Sequence, residues 1–183
     1  ISKSGKYILV ISSVGYKTFS KMISLNNDTT SVNIFLSQRS NQLQDVVVTN
    51  SEKDGWSKYG NIFLDNFIGT SKEARQCILK NRSVVKFSFS QRKKELVAFA
   101  DEPLIIENKA LGYIIKYQLE NFVFNYNSNY LFFKGYPLFT EMDGNTRRQY
   151  SWQKERKHVY DLSIMRFIRA LYNDRVIENN YAV

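Results

Sequence analysis

The sequence has 183 residues, is 43% hydrophobic and 15% aromatic, and carries a formal charge of +9. That is enough apolar material for a packed core in one large domain or two small ones, so disorder is not the starting assumption. No stretch approaches the roughly 20 apolar residues of a membrane-spanning helix, and a single cysteine, Cys77, excludes an internal disulfide.

The charge is unevenly spread. Residues 1–100 hold 15 Lys/Arg against 7 Asp/Glu, whereas residues 101–183 hold 11 against 10. Most of the excess lies in residues 71–94, with 8 basic residues and 1 acidic residue. This segment could meet an anionic polymer. A solvated helix face with a charged hairpin tip at "QRKK" accounts for it equally well and is preferred, so nucleic acid ranks low among partners.

In chain order, "ISKSGKYILV" opens like the inside of a domain, and says nothing about export. Residues 5–48 read as short strands between polar turns: "KYILVIS", then "SVGYKTFSKMISL" with Val14, Tyr16 and Thr18 alternating, then "SVNIFLS" and "DVVVT" after the "NNDT" turn. Such strands suggest part of a β-sandwich.

The polar, glycine-punctuated residues 50–61 read as a linker. Phe63 and Phe67, with Leu64 and Ile68 beside them, then mark one face of a helix. After Gly69, Thr70 and Glu73 have the spacing of a capping box. A second short helix over "SKEARQCILKN" is expected to bury Ala74, Cys77 and Ile78. From Ser83 the period becomes two: "SVVKFSFS", "ELVAFA", "PLIIEN", "LGYIIKYQLENFVFNYN" and "NYLFFKGYPLF" predict antiparallel, hairpin-linked strands. "YDLSIMRFIRALYND" predicts a final helix with Leu162, Ile164, Met165, Phe167, Ile168 and Leu171 on its apolar side. Ser163, Arg166, Arg169 and Asp174 fall on the polar side. Helix, sheet, helix from about residue 62 to 172 is an α+β arrangement.

Residues 103–122 decide whether this sheet is a core or the wall of a site. Tyr113, Ile115, Tyr117 and Leu119 share one face, and Ile114, Lys116, Gln118 and Glu120 share the other. Burial of each large apolar side chain is worth roughly 1.5–3 kcal/mol, so the pattern is read as core.

Two stretches carry a family resemblance. "GKYILVISSVGYKT" and "VNIFLSQRSNQLQDVVVT" resemble the last half of the carboxypeptidase regulatory-like domain of Bacteroidetes envelope proteins. The likeness rests on Gly15-Tyr16, on Ile34 and Leu36, and on Leu43 with Val46, Val47, Val48 and Thr49. The resemblance implies a non-catalytic, transthyretin-like β-sandwich in the cell envelope of a Gram-negative bacterium, in the periplasm or at the outer membrane. The family's opening strands have no counterpart before Ile1, so the sandwich is expected to be incomplete here or completed by another chain. "FLDNFIGTSKEARQCIL", "PLIIENKALGYIIKYQL" and "FFKGYPLFTEM" resemble the α+β module that accompanies this domain, which brings no functional residue with it. The expected organisation is therefore a transthyretin-like β-sandwich fragment over residues 1–49, a linker over 50–61, and an α+β module over 62–183 with a mostly antiparallel sheet and flanking helices.

The chemical inventory is thin. No glycine-rich phosphate loop, nucleophile elbow or metal-ligand spacing occurs. One histidine and one cysteine cannot make a structural zinc site, so no metal and no cofactor is expected. Cys77 lacks a neighbouring base and reads as a small buried hydrophobe. Asp101 and Glu102 point to opposite faces of a strand, and Glu102 and Glu107 could converge only through folding. His158, three residues before Asp161, reads as a surface residue near a helix start. The best binding candidate is the interleaved set Arg147, Arg148, Tyr150, Trp152, Arg156 and Tyr160, which could take sugars, phosphates or single strands by stacking and charge, though a helix or loop whose arginines stack on its own core edge has the same composition. The expectation is a non-catalytic envelope module whose partner is another envelope protein or a glycan. A hydrolase of glycan or peptide is the first alternative, and a binder of nucleic acid or another anionic polymer through residues 71–94 the second.

Overall fold

The computed structural model describes residues 4–13, 15–26, 31–38 and 51–181. Strands β1 (Gly5–Ile11) and β2 (Phe19–Leu25) pair antiparallel, with Ile8 opposite Met22. Residues 31–38 do not form the strand expected in "SVNIFLS"; among the described residues, one bridge, Tyr16 to Gln38, is the pairing there. Val14 and the "DVVVT" run lie outside the described residues.

Helix α1 (Gly55–Phe67) begins inside the stretch expected to be a linker. The reason lies in its rings. Trp56, Tyr59, Phe63 and Phe67 recur at intervals of three and four, so one face is already apolar where aliphatic residues are scarce. Trp56 and Tyr59 each sit 6.0 Å from the Phe87 ring, and Phe63 packs 4.9 Å from Phe122.

Six strands follow: β3 (Cys77–Leu79), β4 (Val85–Ser90), β5 (Glu95–Ala100), β6 (Leu104–Asn108), β7 (Tyr113–Asn125) and β8 (Tyr130–Glu141). All their pairings are antiparallel. β3 and β4 run end to end and pair with β6 and β5 in one unbroken register, from Cys77 opposite Asn108 to Ser90 opposite Glu95. β5 and β6 in turn lie end to end along one edge of β7, while β8 follows its other edge. Six strands thus form a meander of four rows.

The interruptions line up across these rows: residues 80–84 in the first, 101–103 in the second, and a bulge between Leu119 and Asn121 in the third. A bulge bends its strand and increases local twist, so they mark a bend line. Asn81 bridges the gap with its side chain. Its Oδ1 accepts from the Ile105 amide at 2.8 Å and its Nδ2 donates to the Pro103 carbonyl at 2.9 Å.

The expected second helix is absent. Residues 74–76 make a 3-10 turn, and "CIL" becomes β3 because β6 offers it a row to pair with. Ile78 is consequently exposed, and Ala74 and Cys77 are only half-buried. The cap also moves by one residue, since Ser71 rather than Thr70 accepts from the Ala74 amide and donates to Glu73.

Residues 103–122 do build the core. Leu104 and Phe122 are fully buried and Leu119 is 1% exposed, packed with Phe63, Phe87 and Leu96 beneath α1. The bulge at Glu120 resets the alternation, so Phe122 rather than Asn121 follows Leu119 inward. Tyr117 packs edge-on to Phe67 at 4.9 Å. Opposite Leu119, Gly135 makes room: a Cβ there would stand 2.3 Å from the Tyr117 ring and from the Gln118 carbonyl.

The C-terminal part holds two helices, α2 (Thr146–Asp161) and α3 (Ile164–Tyr172). The single helix expected over "YDLSIMRFIRALYND" is divided at Ser163, whose hydroxyl accepts from the Arg166 amide. Its apolar stripe also faces the other way. Ala170 is buried and Phe167 packs 5.1 Å from Tyr181, whereas Leu162, Ile164, Met165, Ile168 and Leu171 are exposed. Arg166, expected in solvent, is half-buried and donates to the Asp161 and Asn179 carbonyls. His158 lies in the last turn of α2, not near a helix start. The chain is a sheet-rich α+β protein with two antiparallel sheets and three α-helices among the described residues. No described helix is long and apolar enough to cross a membrane.

Candidate functional site

The residue set expected to bind on α2 is divided between two tasks. Trp152 is 6% exposed; its Nε1 donates to the Lys109 carbonyl at 3.0 Å. Its ring covers Gly112, which has φ +66° and whose Cβ would stand 2.2 Å from the indole. Arg156 donates from Nε to the Leu111 carbonyl at 2.7 Å and from a terminal nitrogen to the Gly112 carbonyl at 3.2 Å. It also pairs with Glu141 at 3.1 Å and lies 3.9 Å over the Tyr113 ring. Trp152 and Arg156 therefore pin α2 to the turn between β6 and β7. Arg148 lies over Trp152, and Arg147 and Tyr150 are exposed.

Tyr160, the last of the set, borders a hollow of about 210 Å³ between α2, α3 and the C-terminal turns, together with Arg166, Arg169, Arg175 and Asn179. Two of these arginines have carboxylate neighbours: Arg166 approaches Asp161 at 4.0 Å, and Arg175 faces Glu178 at 3.7 Å. Arg169 lies over the Tyr160 ring at 5.5 Å. Cations at helix C-termini offset the exposed carbonyl ends, which accounts for this cluster.

A larger cleft opens along the outer edge of the sheet. It measures about 480 Å³ and is bounded by the segment entering α1 and by the start of β4. The entering segment is fixed by the Glu52 amide, which donates to the Phe87 carbonyl at 3.0 Å and so covers part of the outer edge of β4. Half-buried Trp56, lying against the buried Phe87 ring, supplies its aromatic wall, Lys53, Arg82 and Lys86 supply cations, and Ser51, Ser57 and Ser83 supply hydroxyls. Lys86 faces Asp101 at 3.4 Å, and Glu52 is held by Lys58 at 2.7 Å. Among the described residues, no carboxylate pairs with Lys53 or Arg82. The hydrogen bond to Glu52, with its charge, raises the Lys58 pKa.

The other titratable residues singled out in the sequence lie apart from this cleft. Glu107 pairs with Lys80 at 3.4 Å, and Glu102 stands exposed in the turn before β6. Asp161, next to His158, is engaged by Lys157 and Arg166, and the hydrogen bond from Lys157 lowers its pKa. Burial raises the Cys77 thiol. Among the described residues, no group of three or more His, Cys, Asp or Glu could hold a metal ion.

The cleft was not singled out from the sequence because its walls lie some thirty residues apart, on either side of α1. A tryptophan within a polar stretch that looked like a linker was the available signal. Comparison with protein-family models, curated proteins and solved structures gives no match.

Proposed function

We propose that this chain is a non-catalytic module of a Gram-negative cell envelope, in a protein that holds a glycan or another envelope protein. The observation that carries the reading is the cleft between α1 and β4. A tryptophan ring, hydroxyls and two cations, Lys53 and Arg82, that have no carboxylate partner among the described residues suit an acidic glycan, whose ring stacks on Trp56 while its charged groups meet those two side chains. The basic segment 71–94 contributes here through Arg82 and Lys86. The dispersal of Glu102, Glu107, Asp101 and His158 supports binding without chemistry.

The transthyretin-like part of the reading draws support from β1 and β2. Ile8 and Met22, cross-strand neighbours, are 65% and 67% exposed, and two strands alone are marginal in water. Further strands packed on them would complete a sandwich.

The test is titration with an acidic oligosaccharide and its neutral counterpart, with the products examined for cleavage. Binding of the acidic form that falls on Arg82→Ala and Trp56→Ala, with the sugar recovered intact, is expected. Equal binding of both sugars would remove the charge argument. Cleavage would overturn the non-catalytic reading, and recovery from the cytoplasm on fractionation of the native host would overturn the envelope assignment.

A further inference from the structure

The strongest unexplained feature of the molecule is the outward face of α3. Ile164, Met165, Ile168, Leu171 and Tyr172 follow the i, i+1, i+4, i+7, i+8 pattern of a single helical stripe. They are 72%, 48%, 46%, 59% and 90% exposed, and Leu162 extends the stripe at 76%. The opposite face is already occupied: Phe167 packs on Tyr181, Ala170 is buried, and Arg166 bonds to the ends of neighbouring turns. The helix therefore cannot rotate its stripe inward without losing those contacts.

We propose that this stripe is a two-fold interface between copies of this chain, formed by antiparallel packing of α3 on α3. Area is the first argument. Taking roughly 150–200 Å² for a fully exposed large side chain, the lower part of the aromatic range, the fractions above leave about 600–800 Å² of surface in water. That is at or beyond the ~300–600 Å² patch of a typical monomer and close to the ~800 Å² per partner of a standard interface.

Charge is the second argument and selects the occupant. The chain carries +9, but residues 161–181 hold Arg166, Arg169 and Arg175 against Asp161, Asp174 and Glu178, and so are neutral. A second copy meets no net charge on the segment that carries the stripe, while the cations of α2, Arg147, Arg148, Lys154, Arg156 and Lys157 against Glu155, lie outside it. An antiparallel crossing centred on Ile168 sets Ile164 against Tyr172 of the other copy and Met165 against its Leu171. The two-fold arrangement closes after two copies, as an isologous interface must.

The test is sedimentation of the whole chain across a range of concentrations, with and without added salt. A species of twice 21.5 kDa is expected, little changed by salt because the contact is apolar. Ile168→Glu should weaken association at least tenfold while circular dichroism stays unchanged, since the position is already in solvent. Ile168→Cys should form a disulfide-linked dimer on mild oxidation, whereas Tyr150→Cys, on the exposed side of α2, should not. A mass of 21.5 kDa at every concentration overturns the proposal. So does a dimer that Ile168→Glu leaves intact, or a monomer that co-sediments with phospholipid vesicles through the same residues.

Discussion

α1 and α2 flank the same sheet and are held to it by opposite means. α1 is set into a dry bed of rings: Phe63 touches Phe67, Phe87 and Phe122, and Phe67 reaches Tyr117 and Phe133. α2 is mostly polar and buries one residue, Trp152, which with Arg156 grips carbonyls of a turn. Burial of apolar area is non-directional and spread over many contacts. A grip on carbonyls is directional and concentrated in two side chains. α1 should therefore share the stability of the whole core, while α2 should be able to loosen alone.

The largest effect expected is at the ring bed. Phe63→Ala removes a fully buried aromatic, at a cost of about 3–5 kcal/mol, and should shift the entire urea transition to a lower midpoint. Trp152→Ala makes the same chemical change on the other helix. It should leave the amides of β4 and β5 protected in hydrogen exchange while those of α2 exchange freely; uniform loss across the sheet would erase the distinction drawn here. Gly112→Ala sharpens the point from the other side of the contact. The added methyl meets the indole at a backbone φ that disfavours it, and the expected exchange pattern matches that of Trp152→Ala.

A smaller effect separates charge from geometry. Arg156→Lys keeps the positive charge but loses the fork that reaches two carbonyls, Glu141 and the Tyr113 ring. A cost of about 1.5–3 kcal/mol to the attachment of α2 is expected, on the scale of hydrogen bonds to charged groups. The smallest effect concerns the joint between α2 and α3. Lys157 and Arg166 hold the Asp161 pKa below its ordinary 3.8, so its contribution is complete above that value. It is lost as pH falls through the depressed folded value. Acidification below pH 3.8 should release the joint slightly, and added salt should weaken the effect because the group is exposed. Asp161→Asn should abolish that acid dependence, read from the amide shifts of Leu162 and Ser163.

Much of the sheet was legible because its strands repeat with period two, as in "SVVKFSFS" and "ELVAFA", and strong turn residues separate them. "CILKN" was misread because its helical and extended patterns are equally short, and pairing with β6 decided between them. The aromatic face of α1 was visible at Phe63 and Phe67 but hidden at Trp56 and Tyr59, where glycine and lysine imitate a linker. In the α2 set, cation and ring were legible as residue types, but not that Trp152 and Arg156 meet the carbonyls of a turn some forty residues earlier in the chain.

By itself the sequence determined where the chain alternates, where it is amphipathic, and which residue types it carries. Those are local properties, written in the spacing and chemistry of neighbouring residues. Only the tertiary structure decided that six strands make four rows, that Arg82 and Trp56 line one cleft, and that α3 turns its apolar stripe to the solvent. Each depends on which distant segment packs in a given space, and a period read along one segment does not encode what lies across from it.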